Sequence, residues 1–589
     1  MQRLHALSKK GITLLSALLA IAPALRADTI HTNETIAAST TWTLVGSPHI
    51  VVGSCTVSAG VTLTVQAGCE LRFDNSAYLN VYGTLSAPGT VGLPILFTRR
   101  DASDAWTGLY LQPGGSATLS YCTVEYATGG GGGYGFYCNG AMPSLDHCSF
   151  HDNNYGLYVT SVAGASLTQP NTFTSNATNA LLFTGCSGPT VANQTATGHG
   201  TALRFVDCAN FHLGTGNAIT GNTWALTMDA DSYPATDCAG NVPLAGNTNN
   251  DGLAIMGGSV SGNVTWHDVD ADFILLSTVS MNNGSSLAIT PGIAVRFENG
   301  TYLNVYGSLS APGTVGLPIL FTRRDASDAW TGLYLQPGGS ATLSYCTVEY
   351  ATGGGGGYGF YLNGGDLSLD QCTLRLNNYG IYATGADPQI LRCTITGNLQ
   401  YGIYLTGACQ PVFGSDLTEW NDIHTNGGAN PERDLRNGSE HIAARYVWWG
   451  VTGEAAVEGK IRHEPDDAAL GRVIFSPWTE ATHSTLYYGN TPVGEDGAPT
   501  LPTRYAFAEA FPNPFNPTAT LSYDLPMPSH VRLEIFDLQG RRVALLLNEQ
   551  QPAGSRSITW QAGELPAGVY FARLAAGDFR EMRKLVLLK

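Results

Sequence analysis

The chain has 589 residues, more than one ordinary core holds, so several domains or one extended repeat body are expected. It is 43% hydrophobic and 13% charged, and its 71 glycines follow no third-residue period, which excludes wholesale disorder and a collagen-like fibre. A formal net charge of −17 makes nucleic acid and anionic lipid poor partners, because a polyanion repels both.

The first ten residues are basic, and Gly11 to Leu25 is apolar but too short to span a bilayer. Small residues then allow cleavage after Ala24 or Ala27, so 1–27 reads as a secretory signal peptide. No later stretch reaches ~18 consecutive apolar residues, and the mature chain is expected to lack a membrane span. Twelve cysteines in an exported chain allow disulfides, yet their spacing fits neither a dense disulfide scaffold nor a CxxC zinc pair.

The middle is repetitive at two scales. Tyr78 to Tyr137 recurs at Tyr302 to Tyr361 with an offset of 224 and one change, Thr84 to Ser308. This internal duplication divides the body into 28–262 and 263–480. Within each half a finer period runs: Tyr134-Gly-Phe-Tyr and Tyr155-Gly-Leu-Tyr lie 21 residues apart, and Tyr358-Gly-Phe-Tyr, Tyr379-Gly-Ile-Tyr and Tyr401-Gly-Ile-Tyr lie 21 and 22 apart. Short alternating segments such as Cys122-Thr-Val and Cys393-Thr-Ile, separated by Asn/Gly turns, predict β-strands. A repeat of ~20–25 residues built from such strands predicts a solenoid, whose coils bury their inner faces only by stacking.

Asn153-Asn154 and Asn377-Asn378 are expected in the left-handed turn conformation, with side chains laddering between coils. The pattern resembles the right-handed parallel β-helix family, pectate-lyase-like in its broad sense, over Thr40 to Trp478. At that repeat length the segment holds about 20 coils, which predicts an all-β rod. Trp448, Trp449 and Trp478 are expected to close the last coil, which otherwise exposes apolar surface.

After a Gly/Pro/Thr-rich linker at 481–504 the character changes. Phe511-Pro512-Asn513-Pro514-Phe515-Asn516-Pro517, Val531 to Asp537, Gly540-Arg541, Gly568-Val-Tyr570 and a terminal Lys584 to Lys589 follow in order. Alternating strands with turns every 8–12 positions predict a small Ig-like β-sandwich over 505–589. The ordered set resembles the C-terminal sorting domain of type IX secretion, which implies a translocon partner and delivery to the outer surface of a Gram-negative bacterium or the medium.

Within the β-helix, strict alternation with inward Ile381 points Tyr382 outward, and the same parity applies to Tyr137, Tyr158, Tyr361 and Tyr404. Such a ladder is a candidate glycan-stacking surface, and equally an ordinary use of Tyr in strands. Cys346, Cys372 and Cys393 share the inward parity and are expected as buried thiols. Glu125 and Glu349 are expected to face out, and the pentaglycines Gly129–Gly133 and Gly353–Gly357 to be flexible loops.

Arg99, Arg100, Arg323 and Arg324 are candidates for an anionic-ligand clamp or, alternatively, for solvated turn ion pairs. Asp268, Asp270 and Asp272 have the alternation of oxygen ligands for calcium but lack an EF-hand's Gly and closing Glu; no cofactor is required. No catalytic constellation is legible. The preferred reading is a noncatalytic adhesion or glycan-binding rod, and the alternative is an extracellular polysaccharide lyase or glycoside hydrolase acting in a groove.

Overall fold

The computed structural model describes residues 28–487 and 504–588 apart from 552, 553, 564 and 578. The signal peptide expected over 1–27 and most of the linker expected over 481–504 lie outside the described residues. Strands dominate; the one α-helix among the described residues is Glu454–Glu458. The chain divides into two units, residues up to 228 with 237–251, and residues 229–236 with 252 onwards.

In the first unit three short strands recur in each turn. One face stacks Glu70–Phe73, Ile95–Arg99, Cys122–Glu125, Ser149–His151 and Asn171–Thr174. A second stacks Tyr78–Val81, Gly108–Leu111, Tyr134–Asn139 and Tyr155–Thr160, and a third Thr62–Val65, Thr84–Pro88, Ser116–Ser120 and Ser144–Asp146. Neighbouring strands within a face are parallel. Parallel pairing needs a crossover between partners, and here the other two strands of each turn supply it. The second unit repeats the plan, with Ile319–Arg323, Cys346–Glu349 and Thr373–Arg375 on one face and Tyr358–Asn363, Tyr379–Thr384 and Tyr401–Thr406 on another. The solenoid has about 18 turns, slightly fewer than the sequence period suggests.

Alternation is what the coils exploit. In Glu70–Phe73 the leucine and phenylalanine are buried while Glu70 and Arg72 are partly exposed. Stacking aligns the inner residues into a row, Leu71, Phe97, Val124, Phe150 and Phe173, all fully buried. Each such side chain contributes roughly 1.5–3 kcal/mol of burial, but only when the coils above and below are in place.

A second row is polar. Asn377 Nδ2 donates to Val348 O at 3.0 Å and to Asn398 Oδ1 at 3.1 Å, and Asn398 Nδ2 repeats this with Leu374 O at 3.1 Å and Asn426 Oδ1 at 2.9 Å. The row ends on the buried carboxyl of Asp434, whose Oδ1 accepts from the Asn426 backbone and Nδ2 at 2.8 Å. Asn153 and Asn176 do the same in the first unit. The ladder is as the sequence suggests, but the left-handed residue is the one before each asparagine: Asp152, Ser175 and Leu376, at φ 56°, 53° and 58°. That kink turns the amide inward, where it satisfies backbone groups freed at the corner.

Trp449, Phe475 and Trp478 are buried near the carboxyl-terminal end of the solenoid and Trp448 is partly buried, and the Trp478 indole donates to Thr452 O at 3.1 Å. In the tail, an antiparallel sheet of Ala506–Phe507, Thr518–Leu525 and Gly554–Gln561 faces one of Arg542–Gln551, Ser529–Phe536, Gly568–Ala576 and Phe579–Leu587. Between them lies a core that includes Phe515, Leu521, Leu533, Ile535, Trp560 and Leu574. The expected sandwich is present.

Candidate functional site

The tyrosines form two columns on one face. In the second unit, pairing brings Tyr334, Tyr361, Tyr382 and Tyr404 into register on successive coils, continuing to Arg436 and Arg462. Beside them run Tyr358, Tyr379 and Tyr401. The rings are half-buried because they cover one another: Tyr382 stacks on Tyr404 at 4.8 Å with planes 7° apart, and Tyr361 on Tyr382 at 5.5 Å. Tyr379 meets Tyr404 edge-on at 5.8 Å. The first unit repeats the arrangement with Tyr110, Tyr134, Tyr137, Tyr155 and Tyr158.

Strict alternation places Tyr382 outward but Tyr379 inward, so the second column is missed from sequence. The structure shows why. Pairing jumps from Gly332↔Tyr358 to Leu333↔Phe360, leaving the intervening Gly359 as a bulge. Both tyrosines of each Tyr-Gly-x-Tyr motif therefore share the outer face. Glycine is required there: a Cβ at Gly380 would lie 2.5 Å from Gly402 O and 2.9 Å from Ile395 Cγ2. The legible signal was the invariant glycine between the tyrosines of all five motifs.

Burial, reinforced by neighbouring phenols, raises the Tyr358 hydroxyl to about 12, and burial likewise raises Tyr379 and Tyr382. These three hydroxyls therefore stay protonated at neutral pH. At its lower end the Arg436 guanidinium lies over Tyr404 at 4.5 Å and that of Arg433 over Tyr401 at 5.2 Å. The pentaglycine is a fitted turn: a Cβ at Gly356 would lie 2.1 Å from Cζ of Tyr358. The missing side chain at Gly356 lets that ring lie against the turn.

The other candidates are engaged with their own surroundings. Arg99 lies over the Tyr126 ring at 4.0 Å and donates to Ala102 O; Arg323 does the same over Tyr350 at 3.9 Å and to Ala326 O. Arg100 pairs with Asp74 at 3.0 Å and Arg324 with Glu298 at 2.5 Å. Asp268 accepts from the Asp270 backbone at 3.0 Å, and Asp272 pairs with Arg296 at 2.5 Å. Among the described residues no group of three or more His, Cys, Asp or Glu is placed to hold a metal ion.

Glu349 lies on the outer side, in register with half-exposed Arg375, but is covered there by Thr322 at 3.1 Å and Arg375 at 2.7 Å. Its counterpart Glu125 is bonded by Thr98 at 2.7 Å and by His151 at 3.2 Å, and His151 also reaches Asp152 at 2.9 Å. The duplication replaces His151 and Asp152 by Arg375 and Leu376, so this acid–imidazole–acid chain belongs to the first unit alone.

All twelve cysteines are buried and unbridged. Burial pushes the Cys138 and Cys393 thiols well up and Cys55 to about 12, and the thiols donate to strand carbonyls, as Cys393 does to Leu391 O at 3.1 Å.

In the tail, the motif residues anchor the last strand. Asn513 donates from Nδ2 to Lys584 O at 2.7 Å and accepts from Val586 N at 2.8 Å, while Phe515 is buried and its backbone bonds Val586 and Leu588. Cis bonds precede Pro512, Pro514 and Pro517, and Asn516 lies between the last two. Gly540, at φ 74°, turns the chain so that Arg541 pairs with Asp537 at 2.8 Å. Gly568 opens the strand in which buried Tyr570 donates to Pro566 O at 2.8 Å.

Residues 95–265 and 317–430 match the family described as right handed beta helix region, and 509–588 match the secretion system C-terminal sorting domain. No curated protein matches the chain. No helix among the described residues is long and apolar enough to cross a membrane. The chain thus carries a right-handed β-helix region and a type IX secretion sorting tail, and it is a secreted or cell-surface protein recognised by that system.

Proposed function

We propose that the protein is a noncatalytic adhesion or glycan-binding β-helix, displayed on or released from the outer surface of a Gram-negative cell, whose tyrosine columns are the contact surface. The observation that carries this is the in-register column Tyr334, Tyr361, Tyr382 and Tyr404 with its parallel partner column. Strand neighbours lie ≈ 4.8 Å apart, so the face offers repeated apolar rings with hydroxyl rims, suited to the alternating apolar and polar faces of a polysaccharide. A glycine bulge repeated in every motif keeps both columns on this face.

The test is binding of the purified mature chain to a polysaccharide panel, followed by the Tyr382→Ala/Tyr404→Ala variant. Loss of two stacking rings costs roughly 1–3 kcal/mol, which is about 5- to 150-fold in Kd. Unchanged affinity for every bound polysaccharide removes this reading. The rival reading, a lyase or hydrolase, draws on the Glu125–His151–Asp152 chain. It predicts unsaturated or reducing-end products from the same panel and their loss in His151→Ala.

A further inference from the structure

The sorting tail carries a surface unlike the rest of this acidic chain. Its four-stranded sheet packs one side on the core, and the other side faces solvent. Pairing arranges that outer side as a grid. One row crosses the strands as Leu545, Glu534, Arg573 and Met582; the next as Arg542, Phe536, Phe571 and Lys584; a third as Asn548, Arg532, Ala575 and Arg580. Five of the tail's cations and one acid share this face, while the whole chain carries −17.

The grid is organised around its one acid. Glu534, with a side chain only 3% exposed, is bonded by Arg573 at 2.6 Å, Arg532 at 2.8 Å and Arg542 at 3.0 Å, each arginine side chain being nearly half exposed. Burial works to raise this carboxyl, and the hydrogen bonds from Arg573, Arg542 and Arg532 overcome it and hold it at about 2. One carboxylate thus fixes three guanidiniums whose combined charge it only partly neutralises. Arg573 also lies over the Phe536 ring at 4.5 Å, and Leu545 and Met582 stand 47% and 51% exposed at the two edges.

We infer that this face is the docking surface by which the tail is read during export, and that its partner is a protein surface bearing carboxylates around an apolar patch. Fixed guanidinium forks suit planar carboxylates, and arginine with aromatic and methionine side chains is the composition enriched at interface centres. Preorganisation by Glu534 removes the ordering cost a partner otherwise meets on binding three flexible side chains. An anionic headgroup needs only diffuse positive charge and has no use for Phe536, Leu545 and Met582.

The inference rests on the tail acting as an export signal, which a chain ending at residue 503 tests separately by failing to leave the periplasm. The full chain is then expressed in a cell with a type IX system and fractionated. Arg532→Gln/Arg542→Gln leaves the Arg573–Glu534 pair in place; Leu545→Glu/Met582→Glu leaves Glu534 and its three arginines untouched and puts two acids on the face. Both are expected to lower the exported fraction at least tenfold with periplasmic accumulation, while Arg532→Lys/Arg542→Lys stays within about threefold of the parent. Thermal melts of the purified chains identify a variant that fails by misfolding, and the edge variant then decides. Normal export of the folded edge variant or of the folded Gln variant overturns the inference. So does loss, in the Gln variant, of binding to phosphatidylglycerol vesicles with export intact, which assigns the face to lipid.

Discussion

Asn398→Ala removes one rung of the polar ladder, and the structure sets its cost. The side chain makes four hydrogen bonds: Nδ2 to Leu374 O and Asn426 Oδ1, and Oδ1 from the backbone and Nδ2 of Asn377, all between 2.9 and 3.1 Å. Asn398 is 1% exposed, so its orphaned partners meet no water. At ~1 kcal/mol for each lost bond, the change destabilises these coils by about 4 kcal/mol, equivalent to about 1,000-fold in local opening. Hydrogen exchange read by mass spectrometry over residues 373–406 measures that opening. Asn378→Ala is the internal comparison, since the neighbouring side chain makes one bond, to Thr352 O at 3.2 Å, from a partly exposed position; it should cost under ~1 kcal/mol. If the two variants exchange alike, the ladder does not hold the coils together and the reasoning fails.

Gly380→Ala forces a Cβ against Gly402 O and Ile395; the expected result is loss of the bulge, with a lower melting temperature and weaker polysaccharide binding than in Ala383→Gly, which creates a cavity without touching the bulge. Burial raises both Asp422 and Asp434 to about 6 from 3.8. The native state then holds these protons more tightly than the unfolded chain, so their stabilisation is complete below pH 3.8 and is lost as pH rises through 6. The melting temperature of Asp422→Asn/Asp434→Asn, relative to the parent, should rise between pH 4.5 and 7.5, and a fall would contradict the assignment. Reduced native protein should resist iodoacetamide at pH 8, because all twelve thiols are buried and shielded from the reagent; rapid labelling before unfolding would show that the coils open.

Much of the architecture is readable from alternation. A strand such as Cys346–Glu349 writes its inner residues, Cys346 and Val348, at every second place, and the 21-residue recurrence of Tyr-Gly-x-Tyr marks where each coil returns. The tail is equally legible through Phe515 and Asn513, because both must meet the last strand. Alternation is a local rule, however, and fails where the chain departs from it. Tyr379 and Tyr401 share a face with Tyr382 and Tyr404 only because a bulge adds a residue between them, and Glu349, on the outer side as alternation has it, is covered because Arg375 arrives from the next coil.

The amino-acid order alone therefore determined the winding of the chain and the residues lining its interior, since both follow from period and composition over a few neighbouring positions, and it marked the export tail through an ordered set of motifs that resembles a known sorting domain. Tertiary structure decided which polar groups are already engaged and which surfaces stay open. Arg99 and Arg323 lie over the rings of Tyr126 and Tyr350 about 27 residues away in sequence, and Glu534 gathers arginines from three strands. Such pairings depend on register between coils or strands, a property of the folded chain with no counterpart in local sequence.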